Sequence, residues 1–233
     1  MSQSKTSVEF FRGVRDTLPF CLVIVPFSML FGLVSTEAGL SVLETSTFSL
    51  VVIAGAAQFT ALGLMQENAP TIVVIISALA VNMRMAIYSA SLVPHMGPLP
   101  FWKRALAAYF LVDQPYAMSM NRFDAAPKLS LREKTGYFWG CTLLVVPVWY
   151  SMTLLGALVG QRVPEWLALD FAVPITFLAV VAPMLRTFAH VVAALVSIVA
   201  ALIFASMPYQ TGLLVAGLAG MMAGAEVERR RSQ

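Results

Sequence analysis

Charge is scarce in this chain. Of its 233 residues only 12% are Asp, Glu, Lys or Arg, and 59% are hydrophobic. A soluble domain carries about 25% charged residues, so a water-facing globular surface is excluded. Cysteine and histidine are rarer still, at two residues each. Cys21 and Cys141 lie in apolar tracts, and His95 and His190 are far apart, which argues against a disulfide framework and against metal spacing. H-E-x-x-H, G-x-S-x-G and the P-loop lysine motif are all missing. ATP hydrolysis and zinc chemistry are therefore unsupported, no cofactor or metal is indicated, and the chain does not read as an enzyme. A membrane-embedded enzyme would need a nucleophile–base pair assembled from distant positions.

What is present is long apolar runs. Their limits are Thr17–Thr36, Thr47–Met65, Thr71–Val93, Ala105–Met120, Gly136–Val159, Ala168–Leu185, Ala189–Met207 and Thr211–Ala225. They predict an all-α integral membrane protein of about eight transmembrane or partly re-entrant helices, forming one transmembrane domain over residues 1–233. The net charge of +3 is concentrated at Arg12 and Arg15, at Lys128, Arg132 and Lys134, and at Arg229, Arg230 and Arg231. Basic clusters at the edges of apolar runs are topology signals rather than a nucleic-acid surface. They place a polar, partly disordered tail (1–11), a basic loop (121–135) and a basic tail (226–233) on the cytoplasmic side. Lys103 and Arg104 are the exception, falling on the nominal outer side. No small-residue cleavage site follows the first segment, so it reads as an uncleaved span.

Pro26 and Gly32 in the first segment have counterparts in Pro147 and Gly156 of the fifth. Each pair precedes a segment with unusual backbone residues, AGAAQFTALG (54–63) and VPITFLAVVAPM (173–184). Two pseudo-repeats are expected from this echo, parallel by the even spacing, or inverted if one short segment is re-entrant.

Three polar positions carry chemistry. Arg84 sits inside an apolar tract, where a charge costs about 2.5–3.5 kcal/mol on insertion scales. Tyr88 and Ser91 share its helical face and Asn82 flanks it. The planar guanidinium suits a substrate carboxylate; an internal ion pair that only holds the bundle together is the alternative. Asp113 opens the stretch DQP, in which Pro115 predicts a kink or break and Gln114 adds an amide. It is the natural partner of Arg84, or a titrating group that couples transport to protons; a solvated interfacial position is the bland reading. Gln58 follows the small residues Gly55, Ala56 and Ala57, where backbone can approach or unwind. Its amide suits an amino acid's ammonium and carboxylate, or else makes one interhelical hydrogen bond. Asp170, Arg186, His190 and His95 read as end markers.

The stretches GVRDTLPFCLVIVPFSMLFGLVSTEAGLS, AGAAQF, VNMRMAIYSASLVPH and VDQPYA, in this order and with LDFAVPITFLAVVAPML later, resemble the azaleucine-resistance (AzlC) family. These are large subunits of two-component bacterial exporters of branched-chain amino acids. The resemblance implies a secondary-active carrier of valine, leucine, isoleucine and sometimes methionine in the bacterial inner membrane. It also implies a small membrane partner of the AzlD type. The family often has histidine where this chain has Met85, and an acid where it has Gln114; either departure bears on substrate range or proton coupling. A carrier or channel for another small solute, and a scaffold subunit, are the competing classes.

Overall fold

In the computed structural model, residues 2–161, 185, 187–207 and 211–231 are described, and all their regular structure is helical. They divide into two compact units, one drawn from 1–63 and 74–169, the other from 64–73 and 170–233. The helices are α1 (Ser2–Thr17), α2 (Cys21–Glu37), α3 (Val42–Val51), α4 (Gly55–Gln66), α5 (Thr71–Met96), α6 (Phe101–Tyr109), α7 (Asp113–Ala125), α8 (Leu131–Gly160), α9 (Phe188–Ile203) and α10 (Thr211–Arg231). Among the described residues, three stretches are long and apolar enough to cross a membrane: Lys5–Glu37, Thr71–Met96 and Leu131–Gly160.

The first unit is organised on α8, a 30-residue helix started by a capping box in which Ser130 and Glu133 satisfy each other's backbone N–H groups. The α1–α2 arm runs parallel to it. Glycines bring the two backbones together: a Cβ on Gly32 would overlap the Thr153 carbonyl oxygen, and one on Gly156 would overlap that of Met29. Lower down, Gly13 meets Tyr137 and Gly140 meets Phe10 in the same reciprocal way. Such seams let helices pack by backbone contact where lipid gives no hydrophobic drive. Between the two levels the first arm has three more residues than α8, and the 3₁₀ turn Leu18–Phe20 is three residues long. The counterpart stretch 173–184 lies outside the described residues.

The polar N-terminal tail expected from the sequence is instead the helix α1. Thr6 and Phe10 pack on Gly136 and Gly140. Glu9 is buried and accepts from Arg122 Nε at 2.9 Å, Arg122 Nη2 at 2.7 Å and Arg12 Nη1 at 2.9 Å. This triad ties α1 to α7, and two cations satisfy the carboxylate that burial would otherwise penalise.

The second and fourth apolar segments are each two short helices joined by a break. In the second, the β-branched run Val51–Val52–Ile53 ends α3, and α4 restarts at Gly55. Phe48 of α3 and Phe59 of α4 both meet the ring of Phe31, at 5.7 Å and 5.5 Å, so the chain reverses at the break. In the fourth, the ring of Pro115 would clash with the carbonyl of Leu111, so the helix cannot run through. The break falls just before Asp113, and Pro115 sits in the first turn of α7, where its missing N–H costs nothing. Helix α7 then runs parallel to α5: Arg84 meets Asp113, Tyr88 meets Tyr116 and His95 meets Phe123. His95 Nδ1 lies 3.1 Å from Lys134 Nζ, at the N-terminal end of α8. That end therefore gathers the C-terminus of α5, the start of α6 with Lys103 and Arg104, and the C-terminus of α7. The expected outer position of Lys103 and Arg104 came from counting the fourth segment as a crossing; here it is a hairpin.

In the second unit, α9 and α10 are antiparallel. A Cβ on Gly212 would overlap the carbonyl of Phe204, and one on Gly220 would overlap the Ser197 hydroxyl, so the small-residue face of Gly212, Ala216 and Gly220 packs within this chain. Arg231 lies over the Phe188 ring at 4.4 Å. Glu226 accepts from Arg229 and Arg230, which holds its carboxyl below the ordinary range.

Candidate functional site

The two breaks meet on one side chain. Trp149, midway along α8, shares a buried cluster with Ile24, Val145 and Val112, the residue that precedes α7. Ile53, inside the other break, packs against the same cluster. A Cβ on Gly55, the first residue of α4, would stand 2.7 Å from Trp149 Cη2 and 2.6 Å from Phe27 Cε1, so only glycine allows this approach. Trp149 Nε1 donates to Ser49 Oγ at 3.0 Å. Tyr109, at the end of α6, donates its hydroxyl to the Leu50 carbonyl, one of the acceptors that α3 leaves open by ending. Tyr150 Oη is 3.4 Å from the same tyrosine oxygen. The N-termini of α4 and α7 thus flank one indole; the first N–H groups of a helix lack intrahelical partners, and its N-terminus is the positive end of its dipole.

At the α7 end lies an ion pair. Arg84 Nη1 is 2.9 Å from Asp113 Oδ2, with a third of the arginine side chain and two-fifths of the aspartate exposed. The pair uses one bond of the two that the fork offers. Arg84 Nε and Asp113 Oδ1 are both shielded and have no hydrogen-bond partner among the described residues. The carboxylate also occupies the first turn of α7, a position worth about 0.3–1 kcal/mol for an anion. Tyr88 is electrostatically coupled to both members and stacks on Tyr116, with ring centroids 4.0 Å apart and planes within 11°.

The other sequence-predicted residues divide. Asn82 Oδ1 is shielded and unpartnered among the described residues. Gln114 is half-buried beside Asp113. Gln58 is fully buried, and neither its amide nitrogen nor its oxygen has a partner among the described residues. A buried primary amide without partners costs on the order of 1–3 kcal/mol, so this position is held at the expense of stability. Ser91 leaves the stripe, its hydroxyl donating to Ile87 O at 3.0 Å. His95 joins Lys134 and Phe123 away from the pair. Asp170 and Arg186 lie outside the described residues. Trp149, Tyr109 and Tyr116 were not legible as site residues: each acts through a partner on another helix, and an aromatic in an apolar run carries no local signal. Cys21 and Cys141 are free thiols, and no cluster of three metal-ligating side chains occurs among the described residues.

Comparison with known proteins finds one family and relatives that are membrane proteins. The chain matches the family model described as AzlC protein over residues 19–163. It is 28% identical over 229 residues to the inner membrane protein YgaZ of Escherichia coli K12, covering 94% of this chain and 89% of that one. An uncharacterized membrane protein of Archaeoglobus fulgidus is 28% identical over 225 residues, with 94% and 96% covered. One from Helicobacter pylori is 29% identical over 158 residues, with 66% and 67% covered. No solved structure matches the chain.

Proposed function

The chain belongs to the AzlC family, and from that premise we propose that it is the large subunit of a secondary transporter that exports branched-chain amino acids, working with a small AzlD-type membrane subunit. The observation that carries this reading is the half-made Arg84–Asp113 pair at the restart of a broken helix. Discontinuous helices whose N-termini face a common point are a recurring way to hold a substrate carboxylate at membrane depth. A zwitterion's carboxylate takes the guanidinium bidentately, using the free Nε, and displaces Asp113. The displaced carboxylate, while ionised, is free to take the zwitterion's ammonium, so that proton and substrate compete for it, the sense of coupling that export against an inward proton gradient requires. Gln58, Gly55, Asn82, Tyr88 and Gln114 complete the binding surface around the two restarts.

The topology that supports the reading has α1–α2, α5 and α8 crossing the bilayer. The α3–α4 and α6–α7 hairpins re-enter from opposite faces and meet near Trp149. Positive-inside bias then puts the N-terminus, Lys103, Arg104, Lys134 and the 121–135 loop together on the cytoplasmic side. Irregular backbone is tolerated at that depth only where protein or a water-filled cavity surrounds it. The test is counterflow in proteoliposomes holding the chain with and without a co-expressed small subunit, across a panel of amino acids. Exchange confined to apolar side chains, and strongest with both subunits, is the expected result; no exchange of any amino acid overturns the proposal.

A further inference from the structure

A cavity of about 340 Å³ lies between α5 and α6, its lining starting at Ser89, five residues beyond Arg84, and reaching Leu111, two residues before Asp113. It is walled by Leu92, Val93 and Met96 of α5, by Ala107 and Ala108 of α6, and by Leu111 and Phe138. Ser89 and Arg104 are the polar residues of the lining. Arg104 directs Nη1 at the Gly97 carbonyl, 3.4 Å away, and no carboxylate faces the space.

Its position follows from helix periodicity. Arg84, Tyr88, Leu92 and Met96 are spaced by four and form one ridge of α5 that turns by about 40° at each step. The ridge changes character in order: a cation, an aromatic hydroxyl, then aliphatic side chains. On the opposite wall Leu111 is two residues from Asp113, at most about 7 Å along the chain. Tyr88 and Tyr116, the stacked rings beside the pair, pack against the same cluster that holds Leu92, Met96, Ala107 and Leu111. A ligand with a charged head and a short aliphatic body therefore finds the two environments in sequence.

We propose that this cavity takes the aliphatic side chain of the transported amino acid, while Arg84 and Asp113 hold its polar head, so that Ala107 and Met96 set the accepted side-chain size. The proposal rests on the transporter reading above and assigns the selectivity that reading leaves open. A volume of about 340 Å³ is at the small end of ligand pockets. With Arg104 the charged residue of the lining and no carboxylate in it, the cavity offers a lysine side chain no counter-charge. In such pockets one methylene changes discrimination by roughly 10- to 200-fold.

The experiment uses the full chain with its co-expressed small subunit in proteoliposomes and measures KM for alanine, valine, leucine, phenylalanine, glutamate and lysine. Ala107→Leu fills the cavity; KM for leucine is expected to rise at least about tenfold more than KM for alanine. Met96→Ala enlarges it; phenylalanine is expected to gain about tenfold relative to leucine. Monodisperse elution of both variants guards against misfolding, and the two act in opposite directions, so loss of one does not remove the test. If both variants scale every substrate equally, or change nothing, the cavity is a lipid-chain recess and the inference is overturned while the transporter reading stands. Glutamate carried as well as leucine by the native protein would assign the space to the charge of Arg104 and also overturn it. If the native protein carries none of the six, the transporter reading itself fails and the subsite falls with it.

Discussion

Arg84 and Asp113 were legible because an ionised side chain inside an apolar run is expensive enough to require a reason. Their pairing was legible because Asp113 is the acid within the neighbouring apolar segment. What sequence could not give is that the pair is half-made, with Nε and Oδ1 shielded and unpartnered among the described residues. That depends on how α5 and α7 are phased. Gln58 was singled out as a hydrogen-bonding residue; that it is buried with both amide atoms unpartnered among the described residues depends on neighbours from other helices. If Asp113 is the proton-carrying group, Asp113→Asn keeps the size and one acceptor but cannot ionise. The variant is expected to keep leucine binding within about a few-fold while its exchange rate loses pH dependence, read as initial rates between pH 5.5 and 8. A rate profile unchanged from the native one would assign the coupling elsewhere.

At the scale of elements, the long helices followed from apolar length, and the break before Asp113 followed from Pro115. The break after Val51 has no proline, and its signal was only a β-branched run followed by glycine, so a hairpin there was not legible. The N-terminal helix was missed because SQSKTSVEFFRGVRDT looks like a solvated tail. Its polarity is absorbed locally, Glu9 by Arg12 and Arg122, and Asp16 by Tyr137 at 3.1 Å. The glycine seam between α2 and α8 gives an element-scale prediction. Gly32→Ala or Gly156→Ala forces a methyl group into the facing carbonyl, and each is expected to destabilise by about 1–3 kcal/mol, the range for overpacked sites. Gly39→Ala is the informative contrast, since nothing lies within 4 Å of its Cβ position and the strain there comes from φ of +93° alone. Thermal unfolding in detergent measures both. Equal tolerance of alanine at Gly32 and Gly156 and at an open site such as Gly217 would mean the helices are not held backbone to backbone.

For the whole molecule, the proposed topology, opposed hairpins between long crossing helices, would reconcile the charge pattern with the fold. Counting every apolar run as a crossing put Lys103 and Arg104 outside, whereas the α5–α7 geometry gathers them with His95 and Lys134. Single-cysteine variants of a Cys21- and Cys141-free chain decide between the two. Cysteines at Lys103 and at Ser130 are expected to be labelled from the same side, and one at Gly39 from the other. Opposite-side labelling of 103 and 130 would restore the fourth segment as a full crossing. Whether Arg84 handles substrate or only braces the bundle is measured most directly by leucine counterflow of Arg84→Ala. Inserted at native levels with a co-expressed AzlD-type subunit, that variant is expected to show no exchange above empty vesicles, and Arg84→Lys, which keeps the charge but loses the fork, less than about a tenth of the native rate. Exchange by Arg84→Ala at the native rate would contradict the account.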